Sequence, residues 1–322
     1  MTDNTTVENP LFAHGTHPLF EKITAQHSQE AVTSLLESTK SAFAAFETSV
    51  EPTWDGIFER LRALTDPLHY AWHVTGHLMS VRNSDELREV YEALQPSVIE
   101  FFTAMGQSKA TYEALETLVA SEEWNTLDPA RKRLVEKERL GMKLSGISLQ
   151  GEVKERFNQI QKDLAELATG FSNAVLDSRK SYELIIRDPA DVAGLPETLL
   201  QMTAASAKSN GHENATPTEG PWRITLDYPV SGPFMMHCQN RALRETVYRE
   251  MISVASRDEH DNQPRIDQIL GLRRERARIL GYNSHAEISL ATKMAEDVKA
   301  VDRLTDELRQ AAKPKAEEDH KA

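Results

Sequence analysis

Three evenly spaced histidines are the first residues in this chain that could do chemistry. His69, His73 and His77 stand at i, i+4 and i+8 in Pro67-Leu68-His69-Tyr70-Ala71-Trp72-His73-Val74-Thr75-Gly76-His77. On a helix they share one face, and adjacent imidazoles at this spacing can converge on a metal ion. The outer two would lie about 12 Å apart along the axis at 1.5 Å rise per residue, too far for one ion on a straight helix. No neighbouring Cys, Asp or Glu completes an obvious ligand set. The three read first as core or surface histidines, with a histidine-cluster metal protein as the lesser alternative.

His212-Glu213-Asn214-Ala215-Thr216 comes one residue short of the HExxH zinc motif. That motif needs both histidines on one helical turn and the glutamate as general base. Thr216 stands where the second histidine belongs, and Gly211 and Pro217 mark the segment as a loop. Cys238 directly follows His237. A nucleophilic thiolate needs a base within reach, and sequence neighbours point apart, so the expectation is a buried structural cysteine. No Gly-x-Ser-x-Gly elbow or glycine-rich phosphate loop occurs. Arg273, Arg274, Glu275, Arg276 and Arg278 read as a solvated, ion-paired helix face. The residues alone therefore assign no catalytic, cofactor-binding or metal-ligating position.

The elements that would position such groups are mostly helices. Val153, Phe157, Ile160, Leu164, Leu167, Phe171 and Val175 recur in steps of three and four, which places one apolar stripe on one helix. Asp128-Pro129 is an N-cap followed by proline in the first turn. Ser84 caps a helix carrying Leu87, Val90, Tyr91 and Leu94, which Pro96 should end or kink. Ile266, Ile269, Leu270, Ala277 and Leu280 form a further stripe stopped by Gly281. Ser284 and Glu287 make a capping-box pattern for a helix over 285–294, and a last helix is expected from Asp297 to Ala312. Two segments rich in aromatic and β-branched residues, about 182–187 and 222–227, read as a pair of strands. Between them a helix over 190–207 and a flexible polar loop over 209–220 are expected. The fold class is mostly α, a helical lobe with a small two-stranded β insertion. Its parts are an extended segment over 1–20, the lobe over 21–312 and a polar tail over 313–322.

The chain has 322 residues, of which 39% are hydrophobic and 27% charged, ordinary globular values. Its net charge of −13 disfavours a phosphate backbone, so nucleic acid is not an expected partner. One cysteine excludes an internal disulfide framework. Met1 to Thr6 lack the pattern of a signal peptide, and no apolar run reaches the ~20 residues of a membrane span. A cytoplasmic protein without a membrane partner is expected.

Seven segments, in order, resemble one family. They are Gly76-His77-Leu78-Met79-Ser80-Val81-Arg82-Asn83, Leu144-Ser145-Gly146-Ile147, Phe171-Ser172-Asn173-Ala174-Val175-Leu176-Asp177 and Ile224-Thr225-Leu226-Asp227. Asn240-Arg241-Ala242-Leu243-Arg244-Glu245 with Tyr248-Arg249, then Leu280-Gly281-Tyr282-Asn283 and Leu290-Ala291-Thr292-Lys293-Met294-Ala295 complete the series. Together they resemble the N-terminal half of the oligopeptidase A group, within the thimet oligopeptidase family of zinc metallopeptidases. The likeness runs from about Asn9 to about Lys313. It implies one helical lobe of a two-lobed, zincin-type oligopeptidase whose deep channel admits short peptides and excludes folded proteins. It also implies zinc in the complete enzyme, held by HExxH and a downstream glutamate in the C-terminal half. No ligand or general base carries over to any residue here, so whether this chain is itself an enzyme stays open. The chain alone is expected to be inactive and to bind no zinc, with the missing catalytic half as its partner. Val230-Ser231-Gly232-Pro233 departs from the commoner family wording, and no substrate contact is assigned there. The rival reading is a stand-alone helical module that binds peptides or a protein.

Overall fold

Caps and apolar spacing decide where this chain coils. The computed structural model describes residues 9–14 and 17–321; Met1 to Thr6, read above for a leader, lie outside them. Two compact units divide the chain, Met1–Glu166 with Leu270–Ala322, and Leu167–Ile269.

In the first unit, Pro10–Phe12 makes a 3-10 turn that buries Leu11. The hydroxyl of Thr24 accepts from the His27 amide and opens α1, Ala25–Ser49. A π turn at Asp55–Glu59 leads into α2, Arg60–Val81. Ser84 caps α3, Asp85–Gly106, as its spacing predicts, but the helix continues through Pro96. Buried Val98 and Phe101 lie beyond the proline, and their packing offsets the lost hydrogen bond. Then come α4, Lys109–Ala120; α5, Glu122–Thr126; and α6, Pro129–Leu144. Asp128 Oδ1 caps α6 by accepting from the amides of Ala130 at 2.8 Å and Arg131 at 2.9 Å. The 31-residue α7, Gly151–Ser181, begins in this unit.

Helices α1, α2 and α3 close on one core containing Phe43, Phe46, Leu68, Ala71, Val98 and Phe101. Phe43 meets the edge of Phe101 with centroids 6.0 Å apart. Thr75 Oγ1 donates to Ser28 Oγ at 3.1 Å, so the polar pair buried between α1 and α2 is satisfied. A second core joins the π turn to α4 and α6 through Ile57, Leu115, Leu118, Val135 and Met142. Each such side chain contributes roughly 1.5–3 kcal/mol on burial.

The second unit holds β1, Leu184–Ile186; α8, Glu197–Ser209; β2, Trp222–Ile224; α9, Tyr228–His237; α10, Arg241–Met251; and the start of α11, Gln263–Ile279. The strands pair antiparallel, Leu184 with Ile224 and Ile186 with Trp222. They are shorter than the six-residue segments read from sequence. Trp222, Ile224, Phe234 and Val247 form the core. Where one helix over 190–207 is expected, a 3-10 turn at Pro189–Val192 precedes α8, separated by Gly194 at φ +88°. Residues 209–220 close on themselves. Thr216 and Gly220 exchange backbone hydrogen bonds of 3.0 and 2.9 Å, and Trp222 Nε1 donates to the Pro217 carbonyl at 3.2 Å.

Beyond α11 the chain returns to the first unit. Gly281, at φ +79°, ends the helix as expected. Helix α12 is only His285–Leu290, because a tight turn from the Lys293 amide to the Leu290 carbonyl at 2.8 Å stops it short of 294. Helix α13, Val298–Lys321, runs past Ala312 and through Pro314. The Lys313–Glu317 and Lys315–Asp319 pairs brace its last turns, where every described residue is exposed. Among the described residues, no helix is long and apolar enough to cross a membrane.

Candidate functional site

Residues of α2 carry the histidine face. His69 is half-buried, and His73 and His77 are exposed. The His69 ring stacks on Phe102 of α3, centroids 4.7 Å apart and planes 6° apart, and also runs nearly parallel to His73 at 5.6 Å and 14°. His77 leans on Phe20 at 5.2 Å. Parallel rings send their in-plane lone pairs side by side, not to one point. Burial lowers the pKa of His69, the charge of His73 adds to this, and Asp66 opposes it. His69 is thus a packing ring whose charged form is disfavoured by its surroundings.

His212 and Glu213 lie in the closed loop after α8, not on a helix. Cys238 is 2% exposed, while His237 beside it is exposed. The thiol points to the carbonyls of Asp191 at 3.5 Å and Asn240 at 3.8 Å. Burial raises its pKa, the opposite of an activated nucleophile. Asn240 fixes this corner: its Oδ1 caps α10 and its Nδ2 donates to Asp191 at 2.7 Å.

The arginine run on α11 is ion-paired only in part. Arg156 grips Glu275 with two bonds of 2.7 Å, and this pair holds the Glu275 carboxyl below its usual range. Arg276 departs from the expected solvated face. It is half-buried, donates to Gln161 Oε1 at 2.9 Å, lies 3.4 Å from His285 Nδ1, and keeps a buried Nε without a partner. Burial, then the charges of Arg276, Arg273 and Lys293, push His285 down.

Sequence reasoning missed a cleft of about 800 Å³ in the first unit. Its walls come from α4, the end of α6, the 147–150 turn and the chain around Leu280. Leu144, Ile147 and Leu149 supply apolar surface, and Tyr112, Lys143 and Lys154 supply polar groups. At one side Arg139 holds Glu116 with bonds of 2.8 and 2.6 Å, which lowers the Glu116 pKa. Burial and Glu116 raise the Tyr112 hydroxyl. Glu116 and Arg139 are 23 residues apart on different helices, so no local spacing announces them.

Among the described residues, no group of three or more His, Cys, Asp or Glu stands where it could hold a metal ion. Among the described residues, neither the stacked histidines nor the buried thiol converges with further ligands on one point.

Comparison with known proteins supplies what this geometry leaves open. Residues 32–154 match the N-terminal domain of neurolysin and thimet oligopeptidase, and residues 234–322 match peptidase family M3. The chain is 42% identical over 311 residues to a probable cytosolic oligopeptidase A of Arabidopsis thaliana, covering 97% of this chain and 44% of that protein. It is 37% identical to the oligopeptidase A of Haemophilus influenzae and 36% to that of Escherichia coli, in each case over 97% of this chain and 46% of the relative. The chain spans about half the length of the curated relatives it matches. It belongs to peptidase family M3, and corresponds within it to the N-terminal half of oligopeptidase A.

Proposed function

We propose that this chain is the non-catalytic helical lobe of an oligopeptidase that degrades short peptides, and that it forms one wall of the substrate channel. The observation that carries the reading is the match along 97% of the chain to proteins named oligopeptidase A, with less than half of each covered. The absence of a metal-ligand cluster among the described residues supports a division of labour. The remaining half would bring the zinc, which polarises the scissile carbonyl and lowers the pKa of its bound water. This lobe would supply shape and peptide contacts. The proposed compartment is the cytoplasm, in line with the Arabidopsis relative's name. A net charge of −13 argues against nucleic acid as a partner.

The test is a quenched-fluorescent peptide assay on the purified chain with added zinc. Background turnover is expected. Robust turnover abolished by a chelator would overturn the reading. A second reading, a stand-alone binding module, is favoured by the 800 Å³ cleft with its apolar walls. Titration of short peptides into the chain separates the two: micromolar affinity with no partner half present would support the module.

A further inference from the structure

Helix α13 has 24 residues and buries none of them. Its apolar residues are nevertheless ordered. Val298, Val301, Leu304, Leu308 and Ala311 follow steps of three and four, one stripe along the helix. Val301, Leu304 and Leu308 are 40%, 58% and 63% exposed. The opposite face carries Asp302, Arg303, Asp306, Arg309 and Gln310, with Arg309 paired to Asp306 at 3.1 Å. A two-faced helix of this kind needs a partner along its stripe, since propensity alone leaves isolated helices marginal in water.

The occupant follows from where α13 falls. It lies within residues 234–322, the part that matches peptidase family M3, and outside residues 32–154, the part that matches the N-terminal domain of neurolysin and thimet oligopeptidase. The relatives carry more than half their length beyond the region this chain covers. Resting on the two-lobe reading above, we infer that the Val301–Leu304–Leu308 stripe of α13 is the docking surface for the catalytic half of the oligopeptidase. The stripe ends at Ala311. From Lys313 onward the helix is charged, so the seat covers about four turns, and the last turns project past it into water.

Co-expression of the tagged 322-residue chain with the remaining half of the Arabidopsis thaliana relative tests this. The readout is co-purification of that half, with amide hydrogen exchange along α13. Wild type should retain the partner, and α13 amides should exchange at least tenfold more slowly in the complex than in the chain alone. Leu304→Glu/Leu308→Glu should lose at least tenfold of the captured partner, whereas Gln310→Glu on the opposite face should capture as wild type does. Both leucines are exposed, so circular dichroism and melting should not change; Leu304→Ser/Leu308→Ser is a milder second variant. Equal capture by wild type and both leucine variants, with no protection of α13, would overturn the docking surface and leave the two-lobe reading standing. No capture by wild type would count against both. A dimer of the chain alone, broken by the leucine variants and without capture, would assign the stripe to a second copy and overturn the inference.

Discussion

Gly194→Ala is the substitution whose cost the structure fixes most closely. Gly194 sits at φ +88° between the 3-10 turn and α8. A Cβ there would lie 2.4 Å from the His237 carbonyl oxygen and 3.0 Å from Gln239 Cγ. The left-handed backbone costs a non-glycine residue about 1–2 kcal/mol. Relief of the contact must move backbone, because the obstructing atom is a carbonyl. The hydrogen bond from the Gln239 amide to the Ala193 carbonyl, 3.0 Å, joins the same two strands of chain and would be strained, at about 1 kcal/mol. The sum is about 2–3 kcal/mol, felt in Leu167–Ile269, where Cys238 and the α10 cap lie. Gly211→Ala separates the terms: its φ is +92°, but nothing stands within 4 Å of the new Cβ. It should cost only the conformational part, about 1–2 kcal/mol. Native-state hydrogen exchange is the assay, since a chain of two units need not unfold in one step. Amides of β1, β2 and the end of α9 should open roughly thirtyfold more often in Gly194→Ala, the equivalent of about 2 kcal/mol. Equal or greater exchange in Gly211→Ala would refute the contact argument.

Three further outcomes follow from the side chains. Burial holds the pKa of folded His69 below its ordinary 6.5, so the unfolded chain binds a proton that the folded chain resists. Stability of the first unit should fall as pH drops through and below 6.5. His69→Phe should flatten that slope in urea titrations between about pH 7.5 and 5.5, with the similarly lowered His285 leaving a residual slope. Cys238 should react with a thiol reagent only on opening of the second unit, so its rate should track the exchange of Cys238's neighbours; rapid labelling of the native chain would contradict its burial. The Glu116–Arg139 pair is partly exposed, and a double-mutant cycle with Glu116→Gln and Arg139→Met should give a coupling of about 1 kcal/mol or less, smaller at high salt.

How much could be read in advance depended on the range of the signal. Asp128, Ser84, Gly281 and the apolar stripe of α7 act within a turn or two, and each element they announce is present. Neither Pro96 nor Pro314 ends its helix, because a local rule was overridden. At Pro96 the packing of Val98 and Phe101 decides, and around Pro314 i,i+4 ion pairs support the exposed helix. Helix α9 was not foreseen, since Pro229 and Pro233 disguise it; its first turn tolerates proline, and Val230 and Phe234 anchor it in the core. The half-buried Arg276 was invisible because its partner, Gln161, lies 115 residues away. The cleft around Tyr112 and Lys154 has the same character, as residues from four stretches of chain meet only after folding. The family, by contrast, was legible from seven short segments in order, because order along a chain needs no structure to be seen.

The central proposal is that this lobe helps to enclose a channel for short peptides. Its most direct measurement is zinc-dependent turnover by the reconstituted pair, this chain with the remaining half of its Arabidopsis relative. One peptide sequence is offered twice, as a free decapeptide and within a loop of a stable folded protein. The account predicts cleavage of the free peptide by the pair, none by this chain alone, and none of the folded protein. Equal cleavage of both forms, or full activity of the other half without this chain, would contradict it.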